Sequence, residues 1–401
     1  MRSRQASLSF ILITVFLDVL GIGLMLPVLP SLVGSLTTSH DNQAMWFGAL
    51  TVTYGIMQFL CSPLLGALSD RYGRRPVLLL SMAGLGFSYI VTSLTHSLVL
   101  LLLSRVVSGG TGASFSVANA YVADVTPAEH RGKAFGALGA AFGVGFIFGP
   151  MVGGLLGAID LRLPFMVAAC LSFLNVLYGW LVLPESLPPE RRAPLTLKRV
   201  NPFSALGHLG ELKGVSALVL VFVFSGFAQF ILQNTWVLYT EFRFGWTPWQ
   251  NGVALFVVGM TSAVVQGVLM GRLLKRFGEV KIIMFGLCSS MTAYVLYGLI
   301  TDGLWLYPVI VANFLSFAVT PALQTLISRA AAANEQGVVQ GSLNAINSIM
   351  LVIAPLVGAS ILAAVGHLHP GDWRMGSTFF LSACLQLVAL VVTVRHFRKL
   401  G

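Results

Sequence analysis

A chain of 401 residues with 56% hydrophobic and only 9% charged side chains lies far from the roughly one-quarter charged composition of a soluble domain. Its formal charge of +10 would suggest nucleic acid in a water-soluble protein, but here the basic residues collect between long apolar runs. Composition therefore excludes a soluble enzyme or a nucleic-acid-binding domain and indicates a polytopic membrane protein.

A hydrocarbon core about 30 Å thick needs about 20 apolar residues at helical rise. Twelve stretches meet that requirement: residues 8–32, 44–68, 77–95, 98–121, 133–158, 164–183, 215–240, 248–271, 281–301, 304–327, 336–366 and 374–394. The start, MRSRQASLSF, runs into the first span with no small-residue cleavage pattern, so that helix is expected to be retained. Cys61, Cys170, Cys288 and Cys384 all lie inside apolar runs without paired spacing, as small core hydrophobes do. The longest unspanned stretch, 184–214, contains PESLPPERRAPL. It is the expected cytoplasmic linker between an N-terminal six-helix bundle, 1–183, and a C-terminal one, 215–401. The fold class is thus an all-α membrane protein of twelve transmembrane helices in two bundles.

The two bundles are related. GALSDRYGRRP, from Gly66 to Pro76, is echoed 205 residues later by GRLLKRFGEVK, placing Gly66, Arg71 and Gly73 on Gly271, Arg276 and Gly278. At the same offset Gly132 falls on Gly337 and Pro150 on Pro355. A parallel repeat of this kind is a transporter plan. Counting Lys and Arg by loop puts 20 on the side of the termini, and three (Arg162, Arg243, Arg374) on the other. Retention of positive charge inside then predicts that both termini are cytoplasmic.

Thirteen of the 14 acids and all seven histidines fall at loops or span ends. The expected membrane interior holds two formal charges, Asp18 and Arg105, about 15 Å and about 10 Å deep at helical rise. A charge at that depth costs at least about 2.5–3.5 kcal/mol and marks a functional candidate. Asp18 is expected to carry a proton and Arg105 to tune it; the alternative is a structural ion pair locking spans 1 and 4. Amides and phenols inside spans avoid lipid, which makes Tyr54, Gln58, Asn119, Gln229, Gln233, Asn313 and Asn344 candidate solute contacts, the alternative for each being interhelical hydrogen-bond glue. Span 5, GALGAAFGVGFIFGPMVGGLLG, is glycine-rich with Pro150 inside it, and its repeat partner keeps Pro355. Glycine permits close helix approach and proline a bend, so a flexing helix is expected there. The histidines are peripheral, and neither a Ser–His pair nor metal-ligand spacing recurs at depth. No enzyme activity, metal or cofactor is expected.

Together these segments resemble the major facilitator superfamily, and within it the drug:proton antiporters of the tetracycline-resistance type. The resemblance covers essentially the whole chain. GALSDRYGRRPVLL is similar to that superfamily's inner-loop signature, LLSRVVSGGTGAS to its span-4 motif with Arg105 as the characteristic arginine, and GFIFGPMVGGLLG to the exporter span-5 motif. LDVLGIGLMLPVLP, ADVTPAEHRG, LPES and PALQTLISR resemble tetracycline-pump segments. The resemblance implies a gating loop of Gly66, Asp70, Arg71, Gly73, Arg74 and Arg75, with Asp124 as a partner and Asp70 near the start of span 11. It implies a helix-bend motif of Gly145, Gly149, Pro150, Gly153, Gly154 and Pro355. In tetracycline pumps, acids in spans 3 and 9 and a histidine in span 8 serve coupling or substrate; the matching positions here are Ser88, Ser290 and Ser262. Coupling then falls on Asp18 alone, and tetracycline is put in doubt as the solute. The expected function is proton-coupled efflux of a small organic solute by alternating access, by a monomer in the bilayer of the bacterial inner membrane. Its partners are the solute and protons. The alternatives are export of an endogenous metabolite such as an anionic siderophore, an uncoupled facilitator and a non-transporting sensor.

Overall fold

A computed structural model describes residues 8–112, 114–194, 216–330 and 336–398. These are almost wholly helical, and no strand occurs among them. Backbone in hydrocarbon has no water to bond, so each span satisfies its own N–H and C=O groups. Eleven helical stretches are long and apolar enough to cross a bilayer; one of them, Pro248–Leu299, is 52 residues long and carries spans 8 and 9 together. The charged stretch between those two spans, expected as a loop, is instead helical up to Gly278 and again beyond it.

Gly278 explains that turn. Its φ of 74° and ψ of 164° interrupt the helix for one residue, and Gly73 at the matching repeat position has φ 108°. L-residues with a side chain rarely adopt that region. Both halves therefore spend a glycine on the same corner.

Several spans are discontinuous. Span 1 is a helix from Leu8 to Met25 followed, after Pro27, by the short helix Leu29–Gly34, which carries Pro30 in its first turn. Span 4 consists of Leu98–Thr111 and Ser114–Val125. Ser97 begins it by accepting the Leu100 N–H, an N-cap of the kind that satisfies an orphan donor. Span 8 contains a π-helical turn, Val265–Leu269, and span 10 a 3-10 stretch, Asn313–Ala318. By contrast Pro150 and Pro355 sit inside helices, Arg131–Ile159 and Gln336–Val365, that run on past them. Each proline removes one N–H from the ladder without ending its helix.

Two compact units result. Among the described residues the first takes 8–36, 49–194 and 247–256, and the second 37–48, 216–246 and 257–398. The opening turns of span 2 thus group with the second unit, and those of span 8 with the first. The expected linker lies outside the described residues from position 195 onward. Ile11, Val15 and Val19 of span 1 pack with Leu78, Met82, Val117 and Leu138 in the core of the first unit. Phe222, Ile283, Leu287, Val319 and Leu323 do so in the second.

Glycine sets the crossing of spans 1 and 5. A Cβ on Gly149 would lie 2.7 Å from the Gly23 Cα, and one on Gly145 3.1 Å from the Phe16 carbonyl oxygen. A Cβ on Gly153 would collide with the Leu24 carbonyl oxygen. Spans 1 and 5 therefore touch backbone to backbone. Gly153→Ala should cost about 1–3 kcal/mol through overpacking, read as a lower heat-unfolding midpoint of detergent-solubilised protein. Gly136→Ala, in the same helix but with open space around the added carbon, should not lower it.

Candidate functional site

Asp18 lies on span 1 one turn beyond the Thr14 hydroxyl and is 8% exposed. Its Oδ2 accepts a hydrogen bond of 2.5 Å from the Ser114 hydroxyl, which stands at the start of the second helical piece of span 4. Arg105, 2% exposed, lies on the first piece. Its Nη2 donates to Thr92 Oγ1 at 3.2 Å and its Nη1 to the Met25 thioether at 3.2 Å, while Nε is buried with no partner. Asp18 and Arg105 are thus not an ion pair.

The break in span 4 helps to hold this arrangement open. It leaves the Gly112 carbonyl outside the helical ladder, where it accepts Gln58 Nε2 at 3.4 Å. Tyr54 is one turn before Gln58, so both face the break. Around Arg105 the hydroxyls form a chain: Ser88 donates to the Ser104 carbonyl at 2.8 Å, Thr92 to the Ser88 carbonyl at 2.8 Å, and Thr92 and Ser104 hydroxyls share a bond of 3.1 Å.

The second unit has an uncharged counterpart. The Tyr294 hydroxyl donates to Gln229 Oε1 at 2.8 Å, and Gln386 is buried in the same unit. Ser289 donates to Asn313 Oδ1 at 2.9 Å. Ser289 and Asn313 line a cavity of about 360 Å³ with Phe285, Cys288, Thr292 and Val309. Tyr294 stands 205 residues after Tyr89, so the repeat carries a phenol in both halves.

Three candidate contacts lie apart from these clusters. Asn119 turns its amide onto its own helix, at the Phe115 carbonyl, 2.8 Å away. Gln233 and Asn344 are exposed. Depth points to Gln233 and Asn344, and its amide to Asn119 near the inner end of span 4, but position along a helix does not fix the face on which a side chain emerges.

At the basic face of the first unit, Arg74 Nη1 lies 2.6 Å from Asp70 Oδ1 and its Nε 3.1 Å from Asp124 Oδ2. Arg75 reaches the last carbonyls of span 6, Gly179 and Trp180. Arg71 lies over the Tyr72 ring, 5.2 Å from its centroid, and Gly66 has open space around it. Sequence reasoning missed Glu185, although LPES was in view. Its Oε1 accepts the backbone N–H of Arg74 at 2.8 Å and its Oε2 that of Arg75 at 3.3 Å, which caps the start of span 3 where a helix dipole favours negative charge. A Cβ on Gly73 would collide with this carboxylate. The second unit repeats the ion pair with its signs exchanged. Glu279 and Arg329, 205 residues after Arg74 and Asp124, approach to 2.5 Å.

Comparison with known proteins places this geometry. The family model described as Major Facilitator Superfamily matches residues 11–355. The chain belongs to that superfamily. It is 41% identical to the class C tetracycline resistance protein of Escherichia coli over 96% of both chains. It is 33% identical to the class B protein of Escherichia coli over 97% of both. The crystal structure of the human organic anion transporter MFSD10 superposes with a TM-score of 0.69 at 26% identity, covering 98% of this chain and 100% of that one. As a superfamily member, the chain is a multi-pass membrane transporter of small molecules and not an enzyme.

Within that superfamily chain the three serines have ordinary partners. Ser88 bonds to Ser104 as above, Ser290 donates to the Gly286 carbonyl at 2.8 Å, and Ser262 accepts Gln266 Nε2 at 2.8 Å. Outside the spans, Arg374 beside Asp372 holds that carboxyl well below the usual range, at about 2. Glu185→Ala should leave the first N–H groups of span 3 without their acceptor, at a cost of about 1–3 kcal/mol. The check is heat unfolding in detergent, with Glu185→Gln, which keeps an acceptor oxygen, losing less than Glu185→Ala.

Proposed function

We propose that this chain exports a small organic solute in exchange for protons by alternating access. It would act as a monomer in the bacterial inner membrane, with both termini in the cytoplasm. Asp18 carries the proton and Arg105 tunes it; Tyr54, Gln58, Gln229 and Asn313 contact the solute. Gly66, Asp70, Arg71, Gly73, Arg74, Arg75 and Asp124 form the gating loop. Gly145, Gly149, Pro150, Gly153 and Gly154, with Pro355 in the second half, let the long helices move.

One observation carries the proposal. Asp18 is a buried acid in the middle of a span, held by a neutral hydroxyl and in no ion pair among the described residues. A carboxylate locked to a guanidinium keeps its charge through a cycle, because neutralising it would strand a buried cation. One held by serine can take or give a proton with no ion pair to break. Similarity to tetracycline resistance proteins supports the same direction of transport. A second reading, export of an endogenous metabolite such as an anionic siderophore, is favoured by Ser88, Ser262 and Ser290, and by the likeness to a human protein described as an organic anion transporter.

Purified protein in acid-loaded vesicles tests the exchange. Addition of a transported drug or acidic metabolite should alkalinise the lumen, and Asp18→Asn should reduce that signal at least tenfold, to the level of empty vesicles. Concentrative transport by Asp18→Asn at the wild-type rate would end the proposal.

A further inference from the structure

The cavity between spans 9 and 10 of the second unit has a volume of about 360 Å³, within the lower range of small-molecule sites, about 300–1,000 Å³. Phe285, Thr292, Leu296 and Leu299 emerge exposed along one face of span 9, and large apolar side chains turn such a face towards hydrocarbon. Cys288 and Thr292 of the cavity wall stand 7 and 11 residues beyond Lys281. That is about 11 Å and about 17 Å at helical rise, near the middle of a core about 30 Å thick. On the facing wall, Asn313 and Leu315 belong to the 3-10 stretch of span 10, and non-helical backbone at membrane depth is kept where it lines a cavity.

Thr292 is the anomaly of this wall. Thr111, Thr235, Thr261 and Thr325 each return their hydroxyl to the carbonyl four residues before, at 2.8 Å. The Thr292 hydroxyl makes no hydrogen bond among the described residues, and an unpaired hydroxyl in an apolar medium is costly. We propose that the cavity is a bilayer-side binding site for a compact, uncharged lipophile with a carbonyl group, whose oxygen accepts the Thr292 hydroxyl. Among the described residues no charged side chain lines the cavity, so its occupant is neutral. Phospholipid headgroups lie outside the hydrocarbon core and do not reach its middle. An acyl chain would fill the space yet leave Thr292 unpaired, with no gain over surrounding lipid of equal apolarity. A carbonyl suits the donor on offer, because Ser289 already gives its proton to Asn313. The site lies beyond the exchange proposed above and does not depend on it.

Benzophenone, a neutral lipophile with one carbonyl that bonds to nearby C–H groups under ultraviolet light, tests this on the full-length protein in liposomes. Peptide mass spectrometry should find its label several-fold denser on the cavity residues than on Phe173, Leu174 and Leu177, exposed apolar residues of span 6. Fluorenone should compete for that label about tenfold more tightly than fluorene, the same ring frame without the oxygen, which is the advantage of one hydrogen bond. Thr292→Val should erase the advantage, and Thr292→Ser, which keeps the hydroxyl, should retain it. Label no denser than on span 6, equal competition by fluorene, or an advantage that survives Thr292→Val overturns the site. Should Thr292→Val not fold, the wild-type competition decides alone. The expected pattern in a protein that moves no protons leaves the site standing, and proton exchange without that pattern removes the site alone.

Discussion

A charge inside a bilayer must be answered by something, and the first unit answers two charges with neutral groups. Asp18 is held by a serine, and Arg105 by a threonine and a methionine sulfur. Direct pairing would have lowered the cost of burial further, but it would also have fixed both protonation states. The break in span 4 separates the two anchors: Arg105 lies before Gly112, and Ser114 after it. One irregular turn thus sets the distance between the acid's partner and the cation.

The two halves share a backbone plan and differ in their chemistry. Both bend at a glycine of positive φ, Gly73 and Gly278, and both follow it with an ion pair to the end of the fourth helix of the half. The pair runs Arg74 to Asp124 in one half and Glu279 to Arg329 in the other. Deeper in the spans the divergence is greater. The first half buries Asp18 and Arg105, whereas in the second the Tyr294 phenol donates to the uncharged Gln229. Repeated geometry with unlike electrostatics divides the labour, with the two mid-span formal charges, Asp18 and Arg105, in the first half.

Spans, the repeat and the two interior charges were legible in the sequence, because each depends on composition or spacing along one helix. The span-5 glycines were legible too, since small residues at helical spacing imply a close neighbour. What the sequence hid was tertiary. Glu185 caps a helix more than a hundred residues earlier, and nothing in LPES announces that reach. Ser114 is one hydroxyl among many until the turn at Gly112 points it at Asp18. Gln233 and Asn344 stand out by depth and Asn119 by its amide, whereas the face each presents is set by packing that periodicity in a uniformly apolar span does not reveal. The helical run from Met270 to Leu299 also defeated a charge-based reading. Basic residues there mark a membrane boundary, and a boundary need not be a loop.

The contact of Gly23 with Gly149 has a mechanical consequence. Side chains cushion most helix interfaces and can absorb a small slide by changing rotamer. Main chain against main chain offers no such slack. The helix that carries Asp18 is therefore keyed to span 5 like a splined shaft to its hub, and a displacement of either helix reaches the carboxyl group undiminished.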